Sequence, residues 1–182
     1  MIERQSIADV LLIKPKRFGD ERGFFMETYN QAVLAEAGYE GVFVQDNHSM
    51  SAARGTVRGL HYQAPPCAQD KLIRVVRGAI LDVAVDIRRG SPTFGRHVAA
   101  ELSAANGHQL LVSAGFAHGF QTLEPDTEVL YKVTALYAPQ SEGGVLWNDP
   151  ALAIAWPIGA DAATVNARDQ AWPGLERLGT PF

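Results

Sequence analysis

The sequence predicts an all-β protein of the jelly-roll kind: a β-barrel or sandwich with one short N-terminal helix and a C-terminal tail wrapped around it. Three observations predict this class. Short runs of β-forming residues recur at fairly regular spacing along the chain. The segments between them, such as "RRGSPTFG" and "APQSEGG", are rich in residues that favour turns. Only one short segment has the pattern of a helix.

Several runs have the composition of strands, and turn-forming residues bound them. The predicted strands are Val10–Ile13, Gly41–Asn47, Thr56–Gln63, Lys71–Arg77, Ala79–Ile87, His97–Leu102, Gln109–Val112, His118–Leu123, Glu128–Tyr137 and Val145–Trp147. Between two of them, Arg77-Gly78 predicts a tight hairpin connection.

The helix is predicted over "QAVLAEA", because Asn30 is a favourable N-cap and Gly38 a favourable stop. From Asp149 onward, Pro and Gly interrupt the segments "DPALAIAWPIG" and "NARDQAWPG", so we expect this tail to wrap the barrel. No internal repeat, low-complexity segment or linker divides the chain. We therefore expect one domain over residues 1–182.

The composition limits the classes of function. Hydrophobic residues make up 47% of the 182 residues and charged residues 20%, which favours a well-buried core over disorder. A net charge of −4 gives no reason to expect binding to nucleic acid or to a membrane. The single cysteine, Cys67, forms no internal disulfide, and no signal-peptide or membrane-spanning pattern is present. We expect a soluble protein of the cytoplasm.

Polar residues occupy several strand faces. Strict alternation in "VRGLHYQ" places His61 with Val57, Gly59 and Gln63 on one face. The same rule makes Gln45, Asn47 and Ser49 one set, and Tyr131 and Tyr137 another; Lys71 opens a strand just after the loop that follows His61. A polar lining costs free energy unless its groups are paired or used. Each of these residues alone is more often structural, and Phe24, Phe25 and Met26 are candidates for the core.

A metal site is not expected. Metal-binding barrels called cupins usually show an HxH pair followed by glutamate, whereas this chain has His61-Tyr62-Gln63 followed by the cation Lys71. Lysine repels a divalent ion, and tyrosine and glutamine replace imidazole poorly. His118 stands at the second motif without companions. The residues therefore point to a site that needs neither metal nor cofactor.

Several motifs, in order along the chain, resemble the dTDP-4-dehydrorhamnose 3,5-epimerase family. They are "FGDERGFFMETY" (18–29), "QDNHSMS" (45–51), "RGLHYQ" (58–63), "GFAHGFQ" (115–121), "LYKVT" (130–134) with Tyr137, "WNDP" (147–150) and "RDQ" (168–170). The resemblance covers nearly the whole chain. It implies a metal-free, cupin-like jelly-roll homodimer that acts on a dTDP-sugar.

The resemblance also implies roles for individual residues. His61 would be the catalytic base oriented by Asp169, Lys71 would stabilise the enolate, and Tyr131 would be the acid on the opposite face. Positions that hold the substrate would be Arg22, Phe25, Glu27, Gln45, Asn47, Arg58, His118, Tyr137 and Arg168, the first three partly across the dimer.

The chemistry suits these residue types. The implied substrate, dTDP-4-dehydro-6-deoxy-D-glucose, carries its C3 and C5 hydrogens beside a C4 ketone, so removing either one gives an enolate. A neutral histidine is a suitable base near neutral pH, and a carboxylate on its other nitrogen fixes its tautomer. Tyrosine is a weak acid that positioning must assist.

Strict alternation raises one difficulty. Arg58 and His61 are three residues apart and would point to opposite faces, although both are assigned to one ligand. Either Gly59 marks a β-bulge that resets the alternation, or Arg58 reaches the ligand from the strand edge. Both alternatives remain open at the level of the sequence.

Other functions compete with the double epimerase. A relative acting at C3 or C5 only would share His61, Lys71 and Tyr131, so the motifs barely separate the two. A sugar-nucleotide 3,4-ketoisomerase fits the motifs less well. A non-catalytic sugar-nucleotide-binding cupin would lack the base or the acid, and a metal-dependent cupin would need the missing HxH pair.

Overall fold

The structure is a computed structural model that describes residues 1–182. Its strands are β1 Ile2–Arg4, β2 Val10–Ile13, β3 Arg17–Asp20, β4 Gly23–Met26, β5 Gln45–Ser51, β6 Thr56–Gln63, β7 Lys71–Arg77, β8 Ala79–Asp86, β9 His97–Ser103, β10 Gln109–Val112, β11 Phe116–Thr122, β12 Thr127–Val133, β13 Glu142–Gly144 and β14 Thr164–Val165. The helices are α1 Gln31–Glu36 and α2 Ala167–Gln170, with short 3₁₀ turns at Pro139–Ser141, Pro150–Leu152 and Leu175–Arg177.

Two sheets form a sandwich. The first has the order β1-β2-β10-β7-β12-β5, and the second has the order β13-β6-β11-β8-β9, with β14 parallel to β6. From β5 to β8 the chain alternates between the two sheets, as expected for a jelly roll. The predicted all-β class is confirmed. The hairpin of β3 and β4 stands apart as a small sheet of its own.

Apolar side chains fill three layers. The central cluster lies between the sheets and includes Ile73, Ile80 and Phe120. A second cluster covers the outer face of the second sheet, where the tail packs through Leu152 and Leu178. A smaller third cluster joins α1 to the outer face of the first sheet. The tail wraps the sandwich as predicted, and no helix is long and apolar enough to cross a membrane.

The predicted helix is confirmed. The Asn30 side chain accepts hydrogen bonds from the backbone N–H groups of Ala32 and Val33, which caps the first turn of α1. Gly38 follows the helix with φ +87°, a conformation that favours glycine.

The predicted hairpin at Arg77-Gly78 is wrong, because β7 and β8 belong to different sheets. Gly78 instead forms the corner at which the chain crosses from one sheet to the other. It has φ +74°, and a Cβ there would lie 2.3 Å from Oγ1 of Thr127. The sequence of a short Gly-containing link does not distinguish a hairpin within one sheet from a corner between two sheets.

Several predicted strand ends also differ. The strand predicted from Gly41 begins at Gln45, and the one predicted to reach Tyr137 ends at Val133. Side-chain amides replace a neighbouring strand beyond that point: Gln69 and Gln63 donate to the carbonyls of Ala135 and Leu136. The last predicted strand is displaced to Glu142–Gly144, although Val145 still exchanges two backbone hydrogen bonds with Leu60.

A β-bulge interrupts β6. His61 lies opposite His118 of β11, and Arg58 lies opposite Phe120, so Gly59 and Leu60 together face the single residue Gly119. The extra residue resets the alternation. Leu60 packs in the outer cluster, whereas Arg58 and His61 both line the cleft between the sheets. Strict alternation in this strand is therefore wrong, and the bulge is the correct alternative.

Gly59 is required at this position for two reasons. Its φ of +134° is a backbone conformation that L side chains rarely adopt. In addition, a Cβ would lie 2.6 Å from Cα of Gly119 and 2.9 Å from the carbonyl oxygen of His118, so the two strands could not approach. The sheet can therefore turn His61 inward only if residue 59 has no side chain.

We predict that Gly59→Ala lowers the free energy of unfolding by about 3 kcal/mol or more, because it combines backbone strain with a backbone clash. Urea denaturation followed by circular dichroism measures the change. The matched control is Gly90→Ala, where a Cβ meets nothing within 4 Å. Equal stability of the two variants would contradict the requirement for glycine.

Candidate active site

A cleft of about 170 Å³ opens between the two sheets. Strands of both sheets supply its lining, and most of the lining side chains are polar. The lining residues are Ser49, Arg58, His61, Lys71, Ile73, His118, Phe120, Val129, Tyr131, Asn166 and Asp169. One cavity therefore holds all four residues to which the sequence assigns proton transfer or enolate stabilisation: His61, Asp169, Lys71 and Tyr131.

His61 is paired with a buried carboxylate. Its Nε2 lies 2.7 Å from Oδ1 of Asp169, which is only 1% exposed, whereas 29% of the His61 side chain remains accessible. The contact orients the ring and leaves Nδ1 as the nitrogen that can accept a proton. The pair thus has the geometry of a general base with its orienting acid.

Asp169 is itself held by backbone groups. Its backbone N–H donates to Oδ1 of Asn166, which fixes the start of α2, and its Oδ2 accepts from the N–H of Gly59 at 3.1 Å. Burial alone would raise the pKa of Asp169, but the hydrogen bonds from His61 and Gly59 outweigh it and hold this pKa below its ordinary value. Asp169 therefore stays ionised beside His61.

Lys71 enters the cleft from the opposite sheet, at the start of β7. Its Nζ donates to the carbonyl oxygen of His61 at 3.3 Å. Burial lowers the pKa of Lys71 to about 8, against the charges of Asp82 and Glu142, which raise it. Lys71 is therefore mainly cationic at neutral pH and can stabilise a developing negative charge.

Tyr131 lies on β12, also in the sheet opposite His61. Burial raises the pKa of its hydroxyl, against the positive charge of Arg58. The hydroxyl therefore stays protonated at neutral pH. His61 and Tyr131 thus face the cleft from opposite sides, because they belong to facing sheets.

Arg58 and His118, which the sequence assigns to substrate binding, also line the cleft. Arg58 donates to Oγ of Ser51 and to the carbonyl of Met50, so β5 holds its guanidinium at the cleft. The buried His118 binds Asp82 through Nε2, at 2.8 Å. His118 stands directly opposite His61 in the β6–β11 register.

Four further predicted residues lie outside the cleft lining. Gln45 and Asn47 share the inner face of β5 and are hydrogen-bonded to each other at 2.8 Å. Tyr137 and Arg168 are both exposed and both contact Glu142, Tyr137 through its hydroxyl at 2.7 Å and Arg168 in a close ion pair. Tyr137 lies beyond the end of β12, so the predicted common strand face with Tyr131 is wrong.

The three N-terminal residues do not reach this cleft within the chain. Arg22 lies on the exposed β3–β4 turn, paired with Asp20, while Phe25 and Glu27 line a different, largely apolar cavity near α1. Phe24 and Phe25 are 61% and 70% exposed, so the expectation that they belong to the core is wrong.

Four polar residues near the site escaped assignment from the sequence; one of them, Asn166, lines the cleft and caps α2. Ser49 lines the cleft, and its buried hydroxyl has no hydrogen-bond partner; its place beside Gln45 and Asn47 in the alternation was the available signal. Glu142 joins Tyr137 to Arg168 but sits in a turn-like stretch that carries no signal. Asp82 lies in β8, a mostly apolar strand, so its neighbours in the sequence gave no signal of a polar site. Nowhere do three or more His, Cys, Asp or Glu side chains converge as a metal site.

Comparison with known proteins identifies the family. The family model of dTDP-4-dehydrorhamnose 3,5-epimerase matches residues 4–177. A dTDP-4-dehydrorhamnose 3,5-epimerase of Sinorhizobium fredii is 50% identical over 177 residues, which cover 97% of this chain and 90% of the relative.

Solved structures agree with this similarity. The dTDP-4-dehydrorhamnose 3,5-epimerase of Bacillus anthracis, solved with TDP and PPi bound, superposes with a TM-score of 0.92 at 49% identity, covering 96% of this chain and 98% of its own. The dTDP-6-deoxy-D-glucose-3,5-epimerase of Legionella pneumophila, in complex with dTDP-4-keto-L-rhamnose, gives 0.93 at 43% identity, covering 98% and 94%. The chain therefore belongs to the dTDP-4-dehydrorhamnose 3,5-epimerase family.

Proposed function

We propose that the protein is an isomerase that inverts C3 and C5 of dTDP-4-dehydro-6-deoxy-D-glucose, giving dTDP-4-dehydro-L-rhamnose for dTDP-L-rhamnose biosynthesis. The observation that carries the proposal is the single cleft in which the His61–Asp169 pair opposes Tyr131 and Lys71 from the facing sheet. Family membership supports the choice of substrate.

Proton abstraction begins each inversion. The Nδ1 atom of His61 takes the proton from C3 or C5, and the electron pair left on carbon moves into the enolate, so that charge develops on the C4 oxygen. Lys71 stabilises this oxygen; deletion of one such electrostatic donor typically costs about 3–4 kcal/mol in the transition state. Asp169 stabilises the imidazolium that forms on His61.

Reprotonation completes the inversion. The Tyr131 hydroxyl delivers a proton to the same carbon from the other side of the ring, which reverses the configuration, and the enolate collapses back to the ketone. Because burial raises the pKa of Tyr131, tyrosinate is unfavourable and takes up a proton from solvent, while the imidazolium of His61 returns its proton to solvent, so both groups regain their starting states. The opposing charge of Arg58 reduces this penalty during the step.

Cationic and aromatic groups suit the nucleotide end. Arg58 reaches the cleft, and Arg168 lies near it; guanidinium groups bind diphosphate oxygens through paired hydrogen bonds. The exposed ring of Tyr137 offers a surface beside the nucleobase. His118 and the hydrogen-bonded pair of Gln45 and Asn47 lie nearer the sugar.

We further propose a homodimer in which one protomer completes its partner's site. Arg22, Phe25 and Glu27 lie outside the cleft of their own chain, and the hairpin that carries Arg22 and Phe25 leaves Phe18, Phe24 and Phe25 exposed. Large exposed apolar side chains of this kind are typical of an interaction surface.

We also propose that residues 1–182 form one domain and that the protein acts in the cytoplasm.

The proposed function predicts deuterium exchange at both carbons. The protein incubated with dTDP-4-dehydro-6-deoxy-D-glucose in D₂O should incorporate deuterium at C3 and C5 by NMR, and His61→Ala should abolish both exchanges. Exchange at one carbon would instead indicate a C3- or C5-only epimerase. Binding of dTDP without any exchange in the wild type would overturn the enzymatic function.

The dimer proposal predicts complementation between two inactive variants. Arg22→Ala and His61→Ala should each lose most activity, because one weakens the partner's nucleotide site and the other removes the base. When the two are unfolded and refolded together, about a quarter of the sites combine both native residues and activity should return to that level. The control mixes His61→Ala with Arg96→Ala, an exposed residue without an assigned role. Every chain of this mixture keeps Arg22, so about half of the sites combine both native residues whichever protomer supplies Arg22. No recovery would show that Arg22 does not serve the partner's site.

A further inference from the structure

A second carboxylate lies inside the sandwich. Asp82 is on β8 between Ile80 and Ala84, which both belong to the central apolar cluster, and its side chain is fully buried. A carboxylate in such surroundings is costly unless hydrogen bonds or an opposite charge compensate it. Its retention there calls for a partner.

The hydrogen bonding of Asp82 is incomplete. Oδ1 binds Nε2 of His118 at 2.8 Å, but Oδ2 has no hydrogen-bond partner. Asp86, four residues further along the same strand and equally buried, accepts from Arg88, Ser91 and Thr93. The fold can thus satisfy a buried carboxylate fully, and it leaves one oxygen of Asp82 free.

Lys71 is the matching unsatisfied cation. It points into the same interior from the facing sheet, and its ammonium donates only to the carbonyl of His61, at 3.3 Å. The two carboxylates whose charges act on it are Asp82 and Glu142. Glu142 already binds Arg168 and Tyr137, so Asp82 is the one with a free oxygen.

The remaining ionisable groups around Lys71 come from strands of both sheets. Arg58 and His61 on β6, His118 on β11 and Tyr131 on β12 line the same cleft, and Asp169 lies behind His61. Of these, Arg58 carries positive charge and Asp169 is bound to His61. Asp169 is the only carboxylate in the cleft lining, and His61 already occupies it.

We propose that Asp82 is a positioning residue of the epimerisation: through Oδ1 it fixes the His118 ring with Nδ1 toward the ligand, and through the charge on Oδ2 it keeps Lys71 an ammonium directed at the C4 oxygen. This inference rests on the proposed function, which supplies the reaction that Asp82 would assist. Lys71, not Asp82, contacts the substrate.

The sign of the effect follows from the charges. Burial lowers the pKa of Lys71 to about 8, and Asp82 opposes this change. Removing the charge of Asp82 therefore lowers the pKa of Lys71 further, so the ammonium is lost nearer to neutral pH. Enolate stabilisation should then fail in a range where the wild type still has it.

The test compares Asp82→Asn with Asp86→Asn, since both replace a fully buried carboxylate of β8 by its isosteric amide. Asp82→Asn should move the alkaline limb of kcat/KM down by about one pH unit. Asp86→Asn should lose stability but keep the wild-type limb. An unmoved limb in Asp82→Asn would reduce Asp82 to a structural residue and overturn the proposal.

A second readout is independent of activity. The chain has four lysines, so ¹⁵N-lysine NMR, assigned with Lys71→Met, follows Lys71 directly even if the wild type exchanges no substrate proton. Lys71 should titrate lower in Asp82→Asn than in the wild type. If Asp82→Asn does not fold, Asp82→Glu keeps the charge: Lys71 should titrate as in the wild type, while displacement of His118 lowers kcat at least tenfold. Full activity of Asp82→Glu would overturn the positioning role.

Discussion

The buried carboxylate of Asp169 holds the site together. One oxygen binds the ring of His61, and the other accepts the backbone N–H of Gly59, the residue at which the strand bulges. The same side chain therefore orients the ring of His61 and stabilises the irregular backbone that turns this ring inward. Because Asp169 comes from the tail, the wrapping segment is part of the site rather than a cover over it.

The sandwich architecture supplies what an inversion of configuration requires. A base and a proton donor must act on opposite sides of one carbon, and facing sheets present His61 and Tyr131 from opposite sides of one cleft. The interior position also lowers the pKa of Lys71 and raises that of Tyr131, both through burial. Burial thus disfavours the charged forms of both Lys71 and Tyr131, the two groups that the proposed reaction uses as cation and acid, and neighbouring charges oppose this effect.

Local patterns predicted much of this structure. Alternation identified the inward set of β5 correctly, although the strand begins at Gln45 rather than at Gly41. The N-cap at Asn30 located the helix, and the four residues that the family motifs assign to chemistry lie in one cleft. What failed depends on distant partners. The sheet-to-sheet corner at Gly78 and the exposure of Phe24 and Phe25 are set by tertiary packing, which adjacent residues do not record. The bulge at Gly59 was one of two alternatives until the register with β11 decided it.

In the proposed mechanism the base and the acid act from opposite sheets, and Tyr131→Phe separates their two roles. In D₂O, with the substrate's C3 and C5 followed by NMR, the variant should still exchange protons through His61 but return the original configuration, since no donor remains on the other side. Deuterium incorporation with inversion lost is the predicted result. Loss of exchange and inversion together, to the extent seen when His61 is removed, would contradict separate roles for the two sheets.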